Sequence, residues 1–282
     1  GMVDRDDEDI MLETAICKVF CSDLGFRAAD HAMQIMGGEG FMTENELERV
    51  WRDSRINTVV EGANEVMHSF VFAYGSKQLG EWMLGVKANP FKQLGTAMKI
   101  GAELFLHVRP PAPHISTLSP QLSHLKADLE RHVREFSHQV KMMFKVHEEG
   151  LITNQMVQRR LSWAAIWIHA ITCSLSRLDQ TIRAGTNGQQ LDDEMRLVEY
   201  ICAFGGHEIE LNLHDLYHNV DEPMRRAVDG VKRYIDSLPT KDYVTPESTP
   251  DETALGKGRT PAQEHVRQFG EGSTVKQEDV PA

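Results

Sequence analysis

The stretch RINTVVEGANEVMHSF, residues 55–70, sets a glutamate and a glycine where a connector becomes a helix. Val59 and Val60 precede Glu61 and Gly62, and Val66, Met67 and Phe70 follow. Two readings of Glu61 stand on this pattern. A carboxylate at a helix N-terminus is favoured by the N–H groups that point out of the first turn. The other reading is a general base. Apolar flanks strip water from the carboxylate and strengthen it as a base, while the helix end opposes that effect.

Other residues with chemical potential are weaker. Cys17 and Cys21 lie four apart on one helix, a spacing read as core packing. Glu210, His214 and His218 fall on one helical face, where metal ligation is conceivable. The helical di-iron signature needs Glu-x-x-His, but here Glu210-x-x-x-His214 stands, and HEIEL lacks the second histidine of a zinc protease. A solvated polar face is the reading, and no metal is expected. There is no Walker loop, serine elbow or Rossmann glycine pattern. The GGEG of residues 37–40 follows a helix rather than a strand.

The elements that position these residues read as helices. From Ile10 to Met36, apolar residues recur three and four apart, and Gly37-Gly38 stops the run. Thr43-x-x-Glu46 forms a capping box for a short helix through Arg52. A further helix is expected from about Ala63 to Met83. Residues 84–118, with Pro90, Pro110, Pro111 and Pro113, read as a connector holding one short helix near 91–107.

Ser119-Pro120 opens a second array. Its stripe is Leu122, Leu125, Leu129, Val133, Phe136, Val140 and Met143, ended by Gly150. Thr153 or Asn154 caps the next helix, which Gly185 ends. One over 190–219, with a break at Gly205-Gly206, and one from Asp221 to Pro239 complete it. Residues 239–282 are turn formers with few large apolar side chains and are expected to be disordered. The fold class expected is all-α, two antiparallel helical bundles and a tail. The divisions are 1–83, 84–118, 119–238 and 239–282.

Composition agrees with a globular chain: 41% hydrophobic and 26% charged residues, net charge −12. The acidic start, GMVDRDDEDI, lacks the pattern of a signal peptide. Four cysteines without CxxC spacing suggest free thiols in a reducing compartment. Charge is uneven. Residues 1–83 carry sixteen acids against seven bases, whereas 84–114 carry Lys87, Lys92, Lys99 and Arg109 against Glu103. An acidic body speaks against nucleic acid. The basic island with Phe91, Leu94, Met98, Ile100, Leu104 and Phe105 suits either a linker helix or a membrane-surface contact through 84–109.

One longer stretch, MQIMGGEGFMTENELERVWRDSRINTVVEGANEVMHSF, resembles the C-terminal catalytic segment of the acyl-CoA dehydrogenases. Gln34-Ile35-Met36-Gly37-Gly38 with Gly40-Phe41, and Glu61-Gly62 after an Arg52-Asp53 turn, carry the likeness together. The segment NPFKQLGTAMKIGAEL and the later helices resemble the extra C-terminal domain of the very-long-chain branch, so the likeness spans about residues 2–238.

What the resemblance implies is specific. Glu61 matches the base that removes the α-proton of a fatty acyl-CoA. Val60 and Gly62 match the surroundings of the thioester. Ala63, Asn64 and Glu65 fall where residues contact FAD, and Gln34 through Gly38 match the loop meeting the adenosine-diphosphate half of FAD in a neighbouring subunit. Ala63 stands where the family usually has threonine. The family has an N-terminal helical domain and a middle β domain ahead of this segment, so the chain looks like a C-terminal half. The partners implied are fatty acyl-CoA, an electron-transfer flavoprotein and a second copy in a homodimer. The location implied is the cytoplasm, peripheral on the inner membrane. The rival expectation is a catalytically inert helical oligomerisation module.

Overall fold

A computed structural model describes residues 9–88, 94–106, 108–116 and 118–237. Among the described residues every regular element is helical, as the periodicity predicts. The first three are α1 (Met11–Met36), α2 (Gly38–Phe41) and α3 (Glu46–Ile56). Next come α4 (Asn64–Ala88), α5 (Leu94–Phe105) and α6 (Ser123–His147). The last three are α7 (Gln155–Arg183), α8 (Gln189–His214) and α9 (Asp221–Ser237).

Several boundaries differ from the expectation. Gly37 does leave the helical region, at φ 60°, but Gly38 starts a further helical turn. The cap of α3 is Asn45, whose side chain accepts from the Leu47 N–H at 2.9 Å, and not Thr43. Helix α4 runs to Ala88, beyond Met83, passing through Gly85 without a break; the first proline after it is Pro90. Pro120 opens a short 3₁₀ turn before α6. Asn154 caps α7, accepting from the Val157 N–H.

The expected break in α8 does not occur. Gly205 and Gly206 are buried inside the continuous helix. A Cβ on Gly205 would stand 2.9 Å from Trp167 Cε3, and one on Gly206 would stand 3.0 Å from His132 Nε2. These glycines serve close helix approach rather than a bend.

The described residues up to Asn219 form one unit, and those from Val220 onward belong to another. Within the first, α1, α4, α6, α7 and α8 share a single core containing Val19, Val71, Leu129, Leu161, Leu175 and Ile209. Helix α7 is its axis. Leu161, Ile166, Leu175 and Leu178 are at most 1% exposed, and burying such a side chain stabilises by roughly 1.5–3 kcal/mol. Phe20 meets Trp167 edge-on at 5.3 Å, joining α1 to α7. His68 Nδ1 lies 2.9 Å from Ser162 Oγ, joining α4 to α7. Helices of both segments thus contribute to one interior. In the second unit, α9 presents Met224, Val228, Val231 and Ile235 along one face, all exposed. The tail beyond Ser237 lies outside the described residues.

Candidate functional site

The site grows from the turn between α3 and α4. Val59 and Val60 N–H groups both donate to the Ile56 carbonyl, at 2.8 and 3.0 Å, winding down the end of α3. The Asn64 N–H reaches back to the Thr58 carbonyl at 3.0 Å and closes the loop. Two consecutive residues within it are left-handed: Glu61 at φ 56° and Gly62 at φ 87°. Glycine tolerates this at no steric cost, whereas a glutamate there is strained and persists only when its surroundings fix it. At Gly62 a Cβ would also come within 2.9 Å of Met67 Sδ.

The surroundings that fix it come from α1. Lys18 Nζ donates to the Gly62 carbonyl and to Asn64 Oδ1, both at 2.7 Å. Ser22 Oγ donates to the same Asn64 oxygen at 3.1 Å. Burial lowers the pKa of Lys18, and the charges of Glu65 and Glu61 oppose that shift. A cleft of about 280 Å³ opens here, lined by Lys18, Cys21, Ser22, Asn57, Val60 and Glu61.

Glu61 itself is exposed, and so are Val59 (51%) and Val60 (43%). Within this chain the flanking valines therefore leave the carboxylate uncovered. Ala63 is half-buried and Glu65 exposed. Asn64 is buried, its side chain spent on Lys18 and Ser22. Gln34, Ile35, Met36, Gly37 and Gly38 are all exposed. They lie at the far end of α1, sixteen residues from Lys18, which is about 24 Å along a helix. The structure thus brings Glu61, Gly62, Asn64 and Lys18 together and leaves residues 34–38 apart from them.

The remaining sequence motifs resolve otherwise. Glu210 pairs with Arg131 Nη1 at 2.9 Å, while the His214 and His218 rings stack at 4.4 Å. Among the described residues no group of three or more His, Cys, Asp or Glu side chains is placed to hold a metal. Sequence reasoning missed Lys18, because its partners lie 44 and 46 residues away. It also missed a buried cluster on α5 and α6. There Glu103 accepts from Lys141 Nζ at 2.8 and 3.1 Å and meets His138 Nδ1 at 3.1 Å.

Among the described residues every regular element is helical, and a pinned Glu-Gly turn follows the Gly37-Gly38 reversal, which defines a helical-bundle protein. Residues 2–73 match the model of the acyl-CoA dehydrogenase C-terminal domain, and residues 120–233 match that of the ACAD9/ACADV C-terminal domain. The chain belongs to the acyl-CoA dehydrogenase family, whose C-terminal domains it carries.

It is 31% identical over 228 residues to the very long-chain specific acyl-CoA dehydrogenase, mitochondrial, of Mus musculus, covering 76% of this chain and 33% of that one. A probable acyl-CoA dehydrogenase of Bacillus subtilis is 49% identical over 55 residues, 20% of this chain and 9% of that one. The structure of an acyl-CoA dehydrogenase complexed with FAD from Bacillus anthracis superposes with a TM-score of 0.57 at 23% identity, over 81% of this chain and 37% of that one. The chain spans about a third of the length of these long relatives.

Proposed function

We propose that this chain supplies the base-bearing side of an FAD-dependent long- or very-long-chain acyl-CoA dehydrogenase site, with Glu61 as the base. The observation that carries the reading is the conformation of Glu61. A non-glycine residue at φ 56° followed by Gly62 at φ 87° is strain kept at one carboxylate, and strain of this kind collects at functional sites. Glu61 takes the α-proton of the acyl-CoA thioester. Val60 and Gly62 border the thioester, and a carboxylate held rigidly beside it needs little reorganisation at the moment of transfer. Bound FAD supplies the acceptor for the β-hydride, which leaves a trans-2-enoyl-CoA.

The cofactor contacts proposed are Ala63, Asn64 and Glu65 at one flavin and Gln34 through Gly38 at another. The separation of about 24 Å along α1 supports two different flavin molecules, in keeping with a homodimer. Gly37 and Gly38 fit a ligand's approach, since a Cβ on either would meet nothing within 4 Å. Asn64 fits less well through its side chain, which is already engaged. Electrons are proposed to pass on to an electron-transfer flavoprotein.

Membrane contact through 84–109 is proposed on the outward face of α5, where Met98, Lys99 and Phe105 are exposed, with Leu106 exposed just beyond it; Phe91 and Lys92 lie outside the described residues. Its other face is docked, with Ile100, Glu103 and Leu104 buried. The location proposed is the cytoplasmic side of that membrane.

The second reading is an inert helical interaction module. The exposed apolar face of α9 favours it. The test is Glu61→Gln in the catalytically competent enzyme, followed by acyl-CoA-dependent dye reduction. Loss of turnover by two orders of magnitude or more is expected from removing a general base. Turnover near the parent rate refutes the assignment of Glu61.

A further inference from the structure

We propose that Lys18 is a positioning residue for Glu61: its ammonium clamps the Gly62 carbonyl and the Asn64 side chain and so fixes the turn from which Glu61 projects. The inference rests on the reading of Glu61 as the base and adds a residue to it.

The geometry is direct. Lys18 reaches 44 residues along the sequence to bond the Gly62 carbonyl, and 46 to bond Asn64 Oδ1, each at 2.7 Å. Hydrogen bonds from a charged donor are short and strong, which matches both distances. Asn64 is buried, and Ser22, one helical turn after Lys18, is buried and donates to the same oxygen. Helix α1 offers a rigid base for the clamp, because Ala15, Ile16 and Val19 sit in the core on either side of Lys18.

The clamp acts on the peptide next to the base. A trans peptide is planar, so its N–H points opposite its carbonyl. Holding the Gly62 carbonyl toward α1 turns the Ala63 N–H away from α1. It also removes the freedom of Gly62 to leave φ 87°, the freedom that would most easily let Glu61 relax from φ 56°. Without the clamp the turn keeps the Asn64 N–H bond to Thr58 but loses its hold between Glu61 and Asn64. The ammonium also feels the charges of Glu61 and Glu65. A neutral side chain of the same length replaces neither the charge nor the bonds.

Hydrogen exchange of the 282-residue chain reads the turn without substrate or flavin. Lys18→Met keeps the aliphatic stem and removes the donors. Exchange over residues 58–66 is expected to quicken about tenfold or more, with α7 at the parent rate and most of the protection restored in Lys18→Arg. In the competent enzyme, Lys18→Met is expected to lower kcat with KM for acyl-CoA unchanged, and Lys18→Arg to recover it.

Unchanged exchange at 58–66, or an equal rise throughout α7, overturns the proposal, the latter by showing a general stabilising role. A loosened turn with unchanged kcat, in an enzyme that Glu61→Gln inactivates, overturns it too. If Glu61→Gln is itself silent, the base assignment fails, while the exchange result still decides whether Lys18 holds the turn.

Discussion

Replacing Glu103 with glutamine tests how α5 is held. The carboxylate is buried and faces two donors, Lys141 Nζ at 2.8 and 3.1 Å and His138 Nδ1 at 3.1 Å. Glutamine keeps the shape, one acceptor and two new N–H groups, but no charge. The Lys141 ammonium, 15% exposed, then lacks its counter-ion. Removing one partner of a buried pair costs about 3–5 kcal/mol. Because Lys141 retains some solvent contact, the low end applies, about 3 kcal/mol, or roughly 150-fold in an opening equilibrium.

The loss is local, since α5 packs on α6. Hydrogen exchange of residues 94–105 in Glu103→Gln is therefore expected to quicken by about that factor while α7 is unaffected. Lys145 remains, bonding the Leu104 carbonyl at 2.7 Å and covering the Phe105 ring at 3.9 Å, so the C-terminal turn should exchange less than the rest. The double variant Glu103→Leu, Lys141→Met removes both charges and should recover much of the protection. Parent-like exchange of α5 in Glu103→Gln would show that Ile100 and Leu104 alone hold it, and the ionic account would be refuted.

Three further outcomes are expected. Gly205→Ala forces a methyl within 2.9 Å of Trp167 Cε3 and 3.1 Å of Ile171 Cδ1; overpacking of that kind costs about 1–3 kcal/mol, to be read from urea unfolding midpoints. Burial, then Arg159, lower the pKa of His68 from 6.5 to about 4, with Glu65 opposing; the unfolded chain thus binds its proton first, and stability falls as pH drops from 6.5 toward 4. The loss is up to about 3 kcal/mol; it should be absent in His68→Gln and therefore appear as the pH-dependent difference between parent and variant. Anionic vesicles at low salt should pellet the chain more than a Lys87, Lys92, Lys99→Glu variant, each lysine contributing about 1 kcal/mol; equal pelleting removes the membrane contact.

Helix identity was legible wherever apolar residues keep a 3.6-residue period over several turns. The α6 stripe is the clearest case: Leu125, Leu129, Val140 and Met143 are all buried, as is Leu122 in the turn before it. What failed was local punctuation. Gly205-Gly206 looked like a break because glycine weakens an isolated helix, yet here it admits Trp167 and His132. Thr43 and Asn45 both lie before Glu46, and which of them caps depends on backbone angles that sequence does not state. At the site, the Glu61-Gly62 pair was visible from residue types. Its clamp was not, since the meeting of Lys18 with Gly62 depends on how α1 and α4 pack. The exposure of Glu61 within this chain was not legible either, since apolar neighbours in sequence cover a side chain only when the fold turns them onto it.

That exposure separates two requirements of the proposed chemistry. A base for a weakly acidic α-proton has to be correctly oriented and dry. Orientation is met from within, through Lys18, Asn64 and Ser22 under the turn. Dryness is not, because Glu61 and both valines face outward. The exposed apolar side chains of the turn and the start of α4, Val59, Val60 and Val66, are what a covering protein surface would bury. On the proposed function, therefore, variants beneath the turn and variants on its outer face should fail differently. Lys18→Met disturbs the geometry whether or not the site is covered. Val59→Ser or Val60→Ser should leave the turn's exchange rate unchanged and weaken only the association that closes the site.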